Sequence, residues 1–238
     1  MVIKAVFFDF YGTLGHFFPP REEIQTQAIS SFGFSPTRRG LVEGYANADA
    51  FMAEVNASDW PMSQRHGDDR LQFFAEYERL ILRGADINAD LELASRIWQK
   101  VQEIPYGLAL FDDCTPVLDM IRQQHNVSIG MISNIGRSGK ELTEDMGLTP
   151  YLDFTVTSQE VGSNKPHPPI FLAALECAGV DPNEAIHVGD SYLSDVQGAR
   201  GVGINPVLLD REGVILEEDC VKIGGLVEVL ELLATWCH

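Results

Sequence analysis

Short apolar runs recur along the chain at intervals that leave room for a helix between neighbours. Val2 to Phe8 is nearly continuous, broken only by Lys4, and stops at Asp9 and Gly12. Val127 to Ile132 leads into Ser133, and Phe154 to Val156 into Thr157 and Ser158. Ala185 to Val188 leads into Gly189 and Asp190, and Pro206 to Leu209 into Asp210. Runs this short and without alternation suit strands buried on both faces of a parallel sheet. Between them the pattern turns helical. Thr115-Pro116 reads as an N-cap followed by proline at the first helical position, opening a helix to Gln124. Pro168 to Ala178 and Tyr192 to Arg200 are helical and end near glycines. Leu226, Val229, Leu230 and Leu233 keep the 3, 4 spacing of a helix face. Strands alternating with helices predict an α/β fold with a Rossmann-like three-layer parallel sheet core.

The stretch from 17 to 104 breaks this rhythm and shows no strand-like run. Leu71, Phe74, Tyr77 and Ile81 form one helical stripe, and Leu91, Ala94, Trp98 and Val101 another. Ser35-Pro36 predicts a helix start. The expectation is an all-helical insertion after the first strand, bordered by loops at Gly15 to Pro20 and Ile104 to Gly107. That divides the chain into an α/β core of residues 1–16 and 105–238 and a helical domain of residues 17–104.

Composition narrows the partners. Acids outnumber bases 35 to 17 over 238 residues, for a formal charge of -18. Such an excess argues against nucleic acid or an anionic membrane surface as a partner, though not against a small anion held by local cations or a metal. Residues 17–104 hold 14 acids and 9 bases, the remainder 21 and 8, so the acidity belongs mostly to the α/β part. No run of eighteen apolar residues predicts a membrane span, and MVIKAVFFDF lacks the charged start and small-residue cleavage site of a signal peptide. Cys114, Cys177, Cys220 and Cys237 are scattered without a C-x-x-C and read as reduced thiols of a cytoplasmic protein.

In open α/β sheets, ligands bind beyond the carboxyl ends of the strands. Those positions hold Asp9, Tyr11 and Thr13, then Ser133 and Asn134, then Asp190 and Asp195, with Lys165 in the loop S-N-K-P-H-P-P. Three converging carboxylates repel one another unless a cation compensates. With no His/Cys cluster to suggest zinc, the oxygen donors point to Mg²⁺.

Four motifs in order, D9-F-Y-G-T13-L, M-I-S133-N134, Lys165 in N-K-P-H-P-P-I-F, and H-V-G-D190-S-Y-L-S-D195, resemble those of the haloacid dehalogenase superfamily of hydrolases. The likeness covers residues 1–15 and about 108–210, and the helical insertion resembles the cap that subfamilies carry between the first two motifs. The resemblance implies that Asp9 is a nucleophile forming an aspartyl intermediate. It implies that Thr13 and Ser133 hydrogen-bond the transferred group and that Lys165 neutralises charge. Gly12 and Asn134 are candidate substrate contacts. Asp9, Asp190 and the main-chain carbonyl of Tyr11 would bind Mg²⁺, with Asp195 binding it or holding its waters. A cap tethered by two short connections would open and close over the site.

One position departs from the phosphatase pattern. Phosphatases of this family usually carry Asp two residues after the nucleophile, as acid for the leaving alkoxide and base for the attacking water. Here that residue is Tyr11, a phenol that can donate a proton but is a poor base near neutrality. The family's 2-haloacid dehalogenases carry tyrosine there, and a departing halide needs no proton. Asp190 and Phe171 point the other way, because those dehalogenases typically have serine and tyrosine at these positions. The expectation is a Mg²⁺-dependent phosphatase of a small phosphorylated metabolite. The alternatives are a 2-haloacid dehalogenase and a catalytically weak binding protein; fold alone does not choose. His187 is expected as a packed core residue, His167 in a loop role, and His16 as a further candidate beside the hinge.

Overall fold

The computed structural model describes residues 2–217 and 219–236. Cys237 lies outside them; Cys114, Cys177 and Cys220 are free thiols. The chain separates into two compact units, Met1–His16 with Ala109–His238, and Phe17–Leu108. No helix among the described residues is long and apolar enough to cross a membrane.

In chain order the elements are β1 (Ala5–Phe8), β2 (Gly15–Phe18), α1 (Arg21–Ser30), α2 (Arg38–Ala57), α3 (Gly67–Gly84), α4 (Leu91–Glu103), β3 (Gly107–Leu110), α5 (Cys114–Gln124), β4 (Ser128–Ser133) and α6 (Gly139–Asp145). They continue with β5 (Phe154–Thr157), α7 (Ser158–Val161), α8 (Pro168–Ala178), β6 (Ala185–Gly189), a π-helical turn at Tyr192–Gln197, α9 (Gly198–Gly201), β7 (Asn205–Leu209), β8 (Val221–Ile223) and α10 (Glu228–Trp236).

The first unit is built on a six-stranded sheet of order β5-β4-β1-β6-β7-β8, every neighbouring pair parallel. Its central strands β1, β4 and β6 are largely apolar because both of their faces are covered. Ala5 and Phe7 join Ile132, Val156, Ile170, Phe171 and Ala174 in one cluster, while Val6 and Phe8 are equally buried. β1 lies at the point where the strand order reverses, between β4 and β6, with Phe8 opposite both Met131 and Val188. The carboxyl ends of three adjacent strands therefore open on one crevice.

The second unit is helical, with Ile24, Ala28, Leu41, Tyr45, Ala48, Ile81, Leu82, Ala94 and Ile97 among its core residues. Helices α2 and α3 approach to backbone contact: a Cβ on Gly44 would lie 2.3 Å from the Ile81 carbonyl oxygen.

Several elements differ from expectation. The helix expected at Ser35-Pro36 starts at Arg38, because the Thr37 side chain accepts from the Gly40 amide and so caps it there. Leu71, expected on a buried stripe, is 48% exposed; Ile81 of that stripe is buried, Phe74 and Tyr77 are half-buried, and α3 also buries Phe73, Ala75, Glu78 and Leu82. Leu91 is likewise at the exposed end of its stripe. β2, expected as a loop, pairs with β3, which begins at the last residue of the other expected loop, as a two-stranded sheet, and β8 carries no apolar run of its own. The helix expected over Tyr192–Arg200 divides into the π-helical turn and α9.

Candidate active site

The turn after β1 carries the first group of candidates. Asp9 follows Phe8 directly, 6% exposed, and its amide donates to the Val188 carbonyl at 2.9 Å. The chain then folds back on Phe10, whose carbonyl receives the Thr13, Leu14 and Gly15 amides. Gly12 takes φ +75°, and a Cβ there would fall 2.0 Å from Asp190 Oδ2. Glycine is thus required twice, by the backbone angle and by the carboxylate against it.

Asp9, Asp190 and Asp195 come together, with one carboxylate oxygen from each within 4.8 Å of the other two. Lys165, 2% exposed, bridges two of them: Nζ donates to Asp9 Oδ1 at 2.5 Å and to Asp195 Oδ1 at 2.6 Å. Burial lifts the Asp9 carboxyl, Lys165 pulls it down and Asp195 lifts it again, leaving it at about 6. The Asp195 carboxyl moves the other way; against burial, Lys165 and His187 hold it well below the usual range. Burial alone would lower the Lys165 ammonium, but its two carboxylates keep it charged and raise it.

Lys165 is placed by Asn134 from the end of β4. The Asn134 amide nitrogen donates to the Lys165 carbonyl at 3.0 Å, and its oxygen accepts the Lys165 amide at 2.7 Å. The side chain expected as a substrate contact is thus used on a neighbouring backbone. Ser133 and Thr13 are fully or almost fully buried, and neither hydroxyl has a hydrogen-bond partner among the described residues. Buried polar groups are ordinarily satisfied, so these two hydroxyls stand out as donors with no partner among the described residues.

One participant was not legible as such. His187, expected as a packed core residue, is indeed buried in β6 with its ring edge-on to Phe171. It also places Nε2 2.9 Å from Asp195 Oδ1. A carboxylate only accepts, so Nε2 carries the proton. Burial lowers the His187 pKa despite Asp195 beside it. With Lys165 and His187 on Oδ1 and the Ser191 amide on Oδ2 at 3.0 Å, Asp195 is held from three sides. The only signal in the sequence was its position three residues before Asp190 in a strand. The His16 ring lies 4.7 Å from that of Phe111, and His167 is the N-cap residue of α8.

Comparison with known proteins agrees with this geometry. A family model described as a haloacid dehalogenase-like hydrolase matches residues 3–203. The mouse haloacid dehalogenase-like hydrolase domain-containing protein 3 is 37% identical over 120 residues, 47% of this chain and 48% of that protein. The match thus spans about half the length of that relative. A glyceraldehyde 3-phosphate phosphatase of Methanopyrus kandleri is 28% identical over 210 residues, 88% of this chain and 85% of that one. The solved structure of a 2-haloacid dehalogenase from Pseudomonas syringae superposes with a TM-score of 0.58 at 22% identity, over 99% of this chain and 100% of that one; at such identity the likeness shows the fold. Motif order, strand-end geometry and the match over most of its length together establish that the chain belongs to the haloacid dehalogenase-like hydrolases.

Proposed function

We propose that this hydrolase is a Mg²⁺-dependent phosphatase of a small phosphorylated metabolite, acting through an aspartyl intermediate on Asp9. The observation that carries the proposal is the pair of buried, unpartnered hydroxyls, Thr13 Oγ1 and Ser133 Oγ, at the strand ends that also bring together three carboxylates and a buried lysine. A phosphoryl group has the oxygens those hydroxyls lack. The donor set fits a hard divalent cation: three acids within one small cluster, all oxygen, with one lysine to balance them.

Asp9, Asp190 and the Tyr11 main-chain carbonyl would hold the ion, with Asp195, already committed to Lys165 and His187, acting through its waters. When bound, the ion would offset the repulsion between carboxylate and phosphate and polarise the phosphorus. Asp9 attacks the phosphorus, the bond to the ester oxygen breaks, and the leaving alkoxide takes a proton. Thr13 and Ser133 donate to the transferred group's oxygens, and Lys165 balances the charge of Asp9 and of the intermediate. Water then cleaves the aspartyl phosphate, releasing inorganic phosphate and restoring Asp9. Tyr11 occupies the sequence position, two residues after Asp9, at which the proton donor is expected, and its phenol can serve the leaving alkoxide. The helical unit supports reading residues 17–104 as a cap that selects the substrate.

Tyr11 also favours a second reading, hydrolysis of a 2-haloacid through an Asp9 ester, for which no metal and no proton donor are required. Asp190 beside Gly12 weighs against it, since a third, half-buried acid against two buried carboxylates is costly without a cation.

Phosphate and halide release decide between them. A panel of phosphate monoesters with and without Mg²⁺ should give metal-dependent phosphate release that Asp9→Asn abolishes. Halide release from 2-chloropropionate in the presence of a chelator, with no phosphate release across the panel, would replace the first reading by the second. Silence in both assays would leave neither standing.

A further inference from the structure

Outside the four motifs, one arginine reaches into the turn that carries Asp9. Arg211 lies C-terminal to the residues the family model matches, in the loop after β7. Asp210 shapes that loop: its two carboxylate oxygens accept the Val214 amide at 3.1 Å and the Ile215 amide at 3.0 Å, while its own amide donates to Ile223. The loop therefore closes on itself and projects Arg211 inward.

The guanidinium forks onto Asp113, Nη1 to Oδ2 and Nη2 to Oδ1, both at 2.9 Å. Nη2 also donates to the Thr13 carbonyl at 2.9 Å. The plane lies 3.9 Å from the centre of the Phe111 ring. Nε is buried with no partner among the described residues. Asp113 accepts the Leu226 amide as well, at 3.0 Å. Against burial, the Arg211 fork and the Leu226 amide hold its carboxyl below the ordinary value. Phe111, two residues before Asp113, donates its amide to the Leu14 carbonyl at 3.0 Å.

We propose that Arg211 is a positioning residue for the Asp9 turn: its guanidinium ties the Thr13 carbonyl to Asp113 and so aims the Thr13 hydroxyl. The inference rests on the reading of that turn as catalytic. Thr13 has little else to orient it. Its hydroxyl is unpartnered, and its amide reaches the Phe10 carbonyl only at 3.3 Å. The Arg211 bond is thus the shorter of its two backbone anchors. The other end of the clamp, Phe111 and Asp113, lies just past the strand by which the chain returns to the α/β unit. One side chain therefore sets the spacing between the catalytic turn and the start of α5. A planar fork grips both Asp113 oxygens in parallel and keeps a further N–H on Nη2 for the carbonyl; a lysine supplies the charge without that fixed geometry. A displacement of the order of 1 Å at a reacting group can cost about a hundredfold in rate.

The test compares wild-type protein with Arg211→Ala, Arg211→Lys and Asp113→Asn, using para-nitrophenyl phosphate with Mg²⁺ as the probe. Arg211→Ala should lower kcat by about ten- to a hundredfold with KM nearly unchanged. Millimolar guanidinium should restore part of kcat in the alanine variant and none in the lysine variant, whose side chain fills the space. Asp113→Asn should give a smaller loss in the same direction. Deuterium exchange should quicken in the peptide covering residues 10–16 while β5 and α8 stay as in the wild type. The proposal is overturned if kcat and exchange over residues 10–16 match the wild type, or if the loss follows the unfolded fraction and guanidinium does nothing. An inactive wild-type protein would instead count against the phosphatase reading, and the exchange experiment alone would then decide whether the clamp exists.

Discussion

Gly12 and Asp190 limit each other. The glycine turns the chain at φ +75°, and its missing side chain is the space the Asp190 carboxylate occupies. Asn134 shows the same economy, since both ends of its amide hold the Lys165 main chain. Most of the site's residues were legible because each follows an apolar run, and burial of the run forces the next polar residue to the sheet's edge. The use each side chain makes of its atoms was not legible. Asn134 beside Ser133 offers an amide, but whether the amide meets a ligand or a loop depends on where Lys165 passes, 31 residues away in the chain. Tyr11 carries the sharpest prediction at this scale. A phenol can protonate a leaving alkoxide yet is a poor base near neutrality. Tyr11→Asp should therefore raise phosphatase kcat about tenfold or more, measured on para-nitrophenyl phosphate. An unchanged or lower rate would mean that another group activates the water.

Among the elements, α3 shows how a helix can bury more than its apolar spacing marks. Its apolar positions predicted Leu71, Phe74, Tyr77 and Ile81 as the buried stripe. Ile81 is buried and Phe74 and Tyr77 pack half-buried against the core, but Leu71 is exposed and the helix also buries Phe73, Glu78 and Leu82. Glu78, 1% exposed, accepts from the Gln25 side-chain amide of α1, whose oxygen receives the Tyr45 hydroxyl of α2 at 3.1 Å. A buried acid met by one neutral donor is easier to hold protonated. Burial lifts Glu78 to about 8, with the Gln25 bond opposing. In the unfolded chain the group loses its proton near the ordinary value, so the folded state binds more protons between there and about pH 8. Stability falls as pH rises through that window. Glu78→Gln keeps the acceptor and removes the titration. It should leave the melting temperature near the parent's at about pH 5 and raise it by several degrees at about pH 8.5. Parallel pH profiles for the two proteins would refute this. The two short strands β2 and β3 escaped notice for a different reason. Four residues each, with glycine at the start and mixed burial, they have no periodicity strong enough to separate them from loop.

For the molecule as a whole, the formal charge of -18 gains a local meaning. Three of the acids crowd within one cluster that Lys165 balances only in part. A divalent ion at the cluster would bind the folded state and not the unfolded one, and so raise its stability by mass action. At about a hundredfold excess over the dissociation constant the gain is about 2.7 kcal/mol. Millimolar Mg²⁺ should therefore raise the melting temperature of the wild-type protein, and Asp190→Asn should remove most of that rise. An equal rise in both would place the ion elsewhere. The α/β fold, the parallel sheet and the polar residues that end its central strands followed from the sequence. They depend on local rules: how many apolar residues stand in a row, and which polar residue ends the run. His187 on Asp195, Asn134 on Lys165 and Arg211 on Thr13 did not follow. Each joins segments far apart in the chain or re-aims a side chain that periodicity marks merely as buried. Such contacts are set by the register of parallel strands and the closure of loops, which no single segment encodes, and those contacts decide how the acids are charged, aimed and held.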